Sequence, residues 1–238
     1  MENIPVVDPD KIKRGDILLV HTHRSSISFL IRKFTKSYWN HVGMFVSKDN
    51  QWPKWVIEAL PGGIVGRPFE LKYVKVIRGD KGKVIQIKPS KKFHIAIARA
   101  KDLSYEQRKE ISGKAYQWAL EDRGYDFLLL ILGMILHLIT FRIFKPRWVN
   151  IKSRFICSEL IDTAFNEIAG IVFGVHTATG YITPADIGIA AETKEKIEII
   201  MSNVPFKKGK CSLNIPIIRV FVKHLPDTTF SIYKRIIF

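Results

Sequence analysis

Hydrophobic positions along the chain alternate between two periods, and the changeovers mark the elements. Asp16-Ile-Leu-Leu-Val20 follows the turn signal Arg14-Gly15 and reads as a first strand. From Ser25 to Lys36 the apolar residues Ile27, Leu30, Ile31 and Phe34 fall at i, i+3, i+4 and i+7, which predicts a helix with one buried face. Three β-type runs come next, His41 to Ser47, Lys54 to Ala59 and Lys83 to Lys88. Turn residues Asp49-Asn50, Pro61-Gly62-Gly63 and Gly79-Asp80 separate them, so they are expected to form a meander.

Ser104 and Gln107 stand at capping-box spacing ahead of Ile111, Ala115, Trp118 and Ala119, predicting a second helix over Ser104 to Glu121. The apolar segment from Phe127 is expected to form a third. The clearest helix opens at Cys157: Leu160, Ile161, Ala164, Phe165, Ile168 and Ala169 form a stripe of 3.6-residue period, closed by Gly170 as a C-cap. Ile215 to Val222 offers a late strand that could return to the sheet. With no repeat and no low-complexity linker, a single α+β domain over 1–238, with an apolar helical insertion at about 126–148, is the expected architecture.

Composition narrows the class. Hydrophobic residues make up 47% of the 238 and charged residues 25%, enough apolar material for a core and no signature of disorder or collagen. Only two cysteines, Cys157 and Cys211, rule out a disulfide scaffold or a cysteine-built zinc cage as the organising device. The net charge of +16 attracts anions, whether an anionic membrane surface, nucleic acid or acidic small substrates. Without a helix-turn-helix, zinc-finger or aromatic RNP pattern, nucleic acid ranks below membrane among those partners.

The first ten residues lack the basic start and apolar run of an export signal, so a cytoplasmic location, with peripheral membrane attachment left open, is expected. The apolar stretch Phe127 to Phe141 is closed by Arg142, Lys145 and Arg147 and contains His137. At about 22 Å of helical rise it is shorter than the roughly 20 residues a spanning helix needs. A buried helix or one lying in a membrane interface fits that length better.

Cys157 carries the first chemical signal. Placed three and four residues before Leu160 and Ile161, it projects onto the buried face of the helix it opens, with its sulfur at the positive helix end. That location favours thiolate over thiol, although an inert core cysteine is the competing reading. A nucleophilic cysteine needs a base, and the base an orienting acceptor. In the run His41-Val-Gly-Met-Phe-Val46, strand alternation puts His41, Gly43 and Phe45 on one face, and Gly43 leaves room for a close approach. Glu58 is the one acid in Trp55-Val-Ile-Glu-Ala59, and if buried it requires a partner such as His41; an edge carboxylate in water is the alternative.

His21 and His23 follow the first strand and could line the same cleft, but no acid accompanies them; His94 and His176 lack such neighbours too. A metal reading would pair His21-X-His23 with a carboxylate, but no H-E-x-x-H pattern and no third ligand at a fixed spacing is found, so the sequence calls for no metal and no cofactor.

Taken in order, Lys13-Arg-Gly-Asp-Ile-Leu18, Trp39-Asn-His-Val-Gly43, Val56-Ile-Glu-Ala59, Phe155-Ile-Cys-Ser-Glu-Leu160 and Thr183-Pro-Ala-Asp186 resemble the circularly permuted papain-like hydrolases of the NlpC superfamily. The closer resemblance is to the YiiX branch, related in fold to lecithin:retinol acyltransferase. The combination spans about three quarters of the chain, and it is the combination that is specific. The resemblance implies an antiparallel sheet or small barrel packed on helices, with Cys157 as the catalytic thiol at a helix N-terminus, His41 as its histidine and Glu58 as the polar residue that orients the ring. It also implies that Tyr125-Asp126 and the Thr183 to Asp186 turn help shape the cleft. The expected activity is that of an amidase or peptidase working through a thioester on peptidoglycan-type peptides or amino-acid amides. A lipid acyltransferase or phospholipase at a membrane surface, and a non-catalytic membrane-associated module, remain as alternatives.

Overall fold

The computed structural model describes residues 8–204 apart from 24, 36, 50, 80–83, 122–123, 126–153, 174–181 and 195. Ten strands lie among the described residues: β1 (Ile17–Thr22), β2 (His41–Phe45), β3 (Trp55–Leu60), β4 (Gly63–Pro68), β5 (Val74–Arg78), β6 (Val84–Pro89), β7 (Phe93–Ala100), β8 (Gly124–Tyr125), β9 (Arg154–Phe155) and β10 (Ile197–Ser202). The helices are α1 (Ser26–Thr35), α2 (Phe69–Lys72), α3 (Tyr105–Leu120), α4 (Cys157–Ala169) and α5 (Pro184–Thr193). The fold is α+β. Six strands form one sheet in the order β10-β7-β1-β2-β3-β4, every neighbouring pair antiparallel.

Both faces of this sheet are covered, which is why β1 reads as a continuous apolar run. Ile17, Leu19, Val42, Met44, Ile57, Ala59, Ala96 and Ala98 pack with Ile111, Ala115 and Trp118 of α3, Leu160, Ile161, Ala164 and Phe165 of α4, and Ile187 and Ala191 of α5. The alternate residues Leu18, Val20, Phe45, Val56, Ile95 and Ile97 pack on Phe69, Tyr73, Val74 and Ile87 from α2 and the β5–β6 hairpin. Strand alternation therefore decides which layer each side chain enters.

Several predicted elements are found with small boundary shifts. Ser104 caps α3 with both bonds of the capping box to Gln107, and Gly170 closes α4 at φ +63°, where glycine has no Cβ penalty. The expected three-strand meander is corrected: β2 and β3 are neighbours, whereas β6 pairs with β5 in a separate hairpin. The intervening β4, α2 and β5, as well as β7 and β10, were not predicted, because Gly63–Pro68 and Phe93–Ala100 owe their strand state to cross-strand partners more than to local pattern. The apolar segment 127–148 and the late strand at 215–222 lie outside the described residues. Among the described residues, no helix is long and apolar enough to cross a membrane.

Two of the motif segments noted in the sequence prove to be structural clasps. Asp16 is fully buried; its Oδ2 accepts the Lys13 N–H at 2.8 Å, and its two oxygens accept Nε and a terminal NH of Arg99, each at 2.8 Å. One carboxylate thus ties the start of β1 to β7, with the Arg108 guanidinium of α3 at 3.8 Å. Thr183 caps α5 in a second capping box, with Asp186 as its partner. From that helix Gly188 meets Trp39, and a Cβ there would stand 2.6 Å from Trp39 Cδ1.

The Gly188 contact fixes the buried indole that precedes Asn40 and His41. Gly188→Ala is expected to lower stability by about 1–3 kcal/mol through overpacking, read as a fall in the urea midpoint with the slope unchanged.

Candidate functional site

Glu58 sits between Ile57 and Ala59, so alternation turns it away from the helical layer and toward Tyr73. Its strand is flanked on both sides, by β2 and β4, and its side chain is 0% exposed, which excludes the edge-carboxylate reading. The β2–β3 register runs Met44↔Ile57 and Phe45↔Val56, so continuing it sets Gly43 opposite Glu58. A Cβ on Gly43 would lie 3.1 Å from Glu58 Cγ and 2.7 Å from Val56 Cγ1. The missing side chain at Gly43 is thus the space through which the carboxylate reaches His41, two residues along the same face.

Nε2 of His41 lies 2.6 Å from Glu58 Oε1, and Cys157 is near enough to the same ring to raise its pKa through charge and hydrogen bonding. Since Nε2 faces the carboxylate, Nδ1 is the nitrogen left for sulfur. The structure therefore brings together Cys157, His41 and Glu58, with the imidazole in the middle. The His41 side chain is 14% exposed, and Cys157 is buried at the first position of α4.

Further groups that the sequence reading did not single out surround the carboxylate. Tyr73 Oη donates a short hydrogen bond to Oε1, Lys72 Nζ lies 3.4 Å from both oxygens, and Arg67 Nε lies 3.6 Å from Oε2. Burial alone would push the Glu58 pKa up, but the bond and charge of His41, the Lys72 charge and the Tyr73 hydroxyl outweigh it and bring it down to about 2. Burial likewise disfavours the charged His41 ring; the charge and hydrogen bond of Cys157, then those of Glu58, overcome this and raise it to about 9. Burial, reinforced by the Glu58 charge, holds Tyr73 well above the usual phenol range, so it remains a donor. Lys72 and Tyr73 follow no periodic signal; only the packing of α2 beneath the sheet reveals them.

The entry to α4 differs from those of α3 and α5. Its N-cap is Ile156, which makes no side-chain capping bond, so the first N–H groups of α4 are not taken up by a cap. Ser158 in the first turn instead anchors the helix sideways, its hydroxyl donating to the Ile182 carbonyl at 2.7 Å.

The chain is similar in structure to metalloprotein yiiX from Escherichia coli O157:H7. The match has 19% sequence identity, a TM-score of 0.49, and covers 81% of this chain and 98% of that one. No protein-family profile matches the sequence. No curated protein matches it either.

The other histidines weighed as bases gather elsewhere. His21 Nδ1 lies 2.8 Å from the Tyr38 carbonyl, and burial lowers its pKa to about 4, an effect increased by Arg32, His23 and His94. His94 contacts the Tyr38 hydroxyl through Nδ1, and burial, with the charge of His23, lowers its pKa as well. Their rings meet Tyr38 and one another, which sets them apart from His41 with its carboxylate. Asp126, His137, His176 and Cys211 lie outside the described residues, as does the Tyr125 side chain.

The opposed shifts give a signed expectation. His41 should titrate near pH 9 by NMR, and the midpoint should fall in both Cys157→Ser and Glu58→Gln, since each removes a cause of the rise. Because the Glu58 pKa is depressed when folded, its contribution to stability is present above about pH 4.5 and is lost as pH falls toward 2. Glu58→Ala should therefore cost about 3 kcal/mol at neutral pH by leaving partly buried cations and a buried hydroxyl uncompensated, and the gap from the parent should narrow in acid denaturation below pH 4.5.

Proposed function

We propose that this chain is a cysteine-dependent hydrolase of the permuted papain-like type, acting on amide bonds. The observation that carries the reading is the His41 ring held between the Cys157 thiol and a fully buried Glu58 carboxylate. A carboxylate this heavily compensated orients the imidazole and stabilises its cationic form without taking the proton itself.

In the proposed cycle the thiol proton already rests on His41, as an imidazolium beside the Cys157 thiolate, and that thiolate attacks the carbonyl carbon. His41 then returns the proton to the leaving amine, leaving a thioester on Cys157. Water, deprotonated by His41, cleaves the thioester and regenerates the thiol. The uncapped first turn of α4 offers the Cys157 N–H to the developing oxyanion. The order of motifs along the chain, histidine before cysteine, matches a permuted topology, and geometry rather than order defines such a triad. Resemblance to the NlpC superfamily suggests short peptides or amino-acid amides as the substrate class.

Cys157 should react with a chloromethyl amide or iodoacetamide faster than a buried, unactivated thiol, in a His41-dependent way. His41→Ala is expected to slow labelling and to reduce amidase turnover by about 10²–10⁴-fold. Glu58→Gln should lower kcat more than it raises KM. Labelling of Cys157 that is slow and indifferent to His41 would sink the proposal and favour a non-catalytic module. Thioester formation from acyl lipids in anionic vesicles, with none from peptides, would move the assignment to a lipid acyltransferase.

A further inference from the structure

His21 and His23 lie two residues apart, at and just past the end of β1, and the antiparallel register of β1 with β7 sets His94 directly opposite His21. The bond from His23 N–H to the Lys92 carbonyl, 3.1 Å, continues the ladder one step beyond the strand and holds His23 over the same neighbour. The ring centroids of His21 and His23 are 4.8 Å apart, and those of His23 and His94 are 4.2 Å apart. One ring nitrogen from each of the three lies within 4.8 Å of the other two. The third ligand missing from the linear spacing is supplied by strand pairing.

The orientation of the rings is specific. A carbonyl can only accept, so the 2.8 Å contact with Tyr38 O puts the His21 proton on Nδ1 and leaves the lone pair on Nε2. His94 also has Nδ1 engaged, by the Tyr38 hydroxyl, which leaves its Nε2 unoccupied by that contact. Tyr38 thus serves two imidazoles, through its backbone and its side chain, and its ring stacks on His21 at a centroid distance of 4.2 Å. A hydrogen bond on one ring nitrogen that fixes the other as a donor is the outer-shell arrangement of metal-bound histidine.

We propose that His21, His23 and His94 form a site for one divalent transition-metal ion of the zinc class, separate from the Cys157–His41–Glu58 cluster. A set of three imidazoles favours zinc and its d-block neighbours over magnesium or calcium, which prefer oxygen. Tetrahedral zinc at 2.0–2.1 Å from each nitrogen needs nitrogens about 3.4 Å apart, so the rings close by small rotations about their side-chain torsions. Three protein ligands leave a fourth position for water or an anionic group, and the three histidines are partly exposed. Arg32, bonded to the Thr22 carbonyl at 2.9 Å, is the nearby cation and would disfavour a second metal ion there while favouring an anion in the fourth position.

The full-length protein, stripped with chelator, is titrated with zinc chloride in competition with a chromophoric chelator. One zinc ion per chain is expected, with His23→Ala and His94→Phe each weakening binding at least about 10-fold and Cys157→Ser leaving it unchanged. His94→Phe keeps a ring in the cluster, and far-UV circular dichroism checks that both variants fold. Cobalt substituted for zinc should give tetrahedral d–d bands without a thiolate charge-transfer band. Absence of stoichiometric binding, retention in the His23→Ala, His94→Phe double variant, or loss in Cys157→Ser would each overturn the proposal. The last of these would assign the metal to the thiol cluster.

Discussion

A carboxylate removed from water on the penultimate strand of a six-stranded sheet is the constraint around which the site is built. Glu58 on β3 has no solvent contact, and four polar or cationic side chains, His41, Lys72, Arg67 and Tyr73, converge on it. Burying a charge without such partners costs several kcal/mol, so each partner is held in place by the need to offset that cost. His41 comes from β2, Arg67 from β4, and Lys72 and Tyr73 from α2 and its C-cap. The charge therefore couples three strands and the short helix beneath them.

The same network separates two roles. Mutual contact, together with what lies on either side, lowers the pKa of the carboxylate and raises that of the imidazole. Cys157 reaches the imidazole from the opposite layer, at the start of a helix whose apolar stripe, Leu160, Ile161, Ala164 and Phe165, is buried against the sheet. Because that stripe fixes the rotation of the helix, the sulfur's position is set by core packing more than by any polar contact. Gly43 and Gly188 act in the same sense. Each is a place where a methyl group would displace a neighbour of the site, Glu58 in one case and Trp39 in the other.

The histidine cluster on β1 and β7 shows how different an imidazole becomes when the neighbours that meet it are a tyrosine and other imidazoles. His21 and His94 are lowered in pKa where His41 is raised, although Val20, the residue before His21, is the register partner of His41. Burial acts on all of them in the same direction. The sign is decided by the neighbour: Tyr38 and other imidazoles in one cluster, a thiol and a carboxylate in the other.

Periodicity and caps sufficed for the elements whose stability is local. The α3 capping box, the α4 stripe with its glycine stop, and the first strands are visible in the sequence because nearest-neighbour spacing and terminal hydrogen bonds specify them. The pairing of His41 with Glu58 was legible as well, since an acid inside an apolar strand demands a partner and the preceding strand carries one. What the sequence could not determine was any contact that depends on register between distant strands or on packing from beneath the sheet. Lys72 and Tyr73 under Glu58, β5 with β6 as a separate hairpin, and His94 opposite His21 across 73 positions of chain all belong to that class. Such contacts are fixed only when the entire sheet closes, because a shift of one residue in register would turn every side chain to the other face.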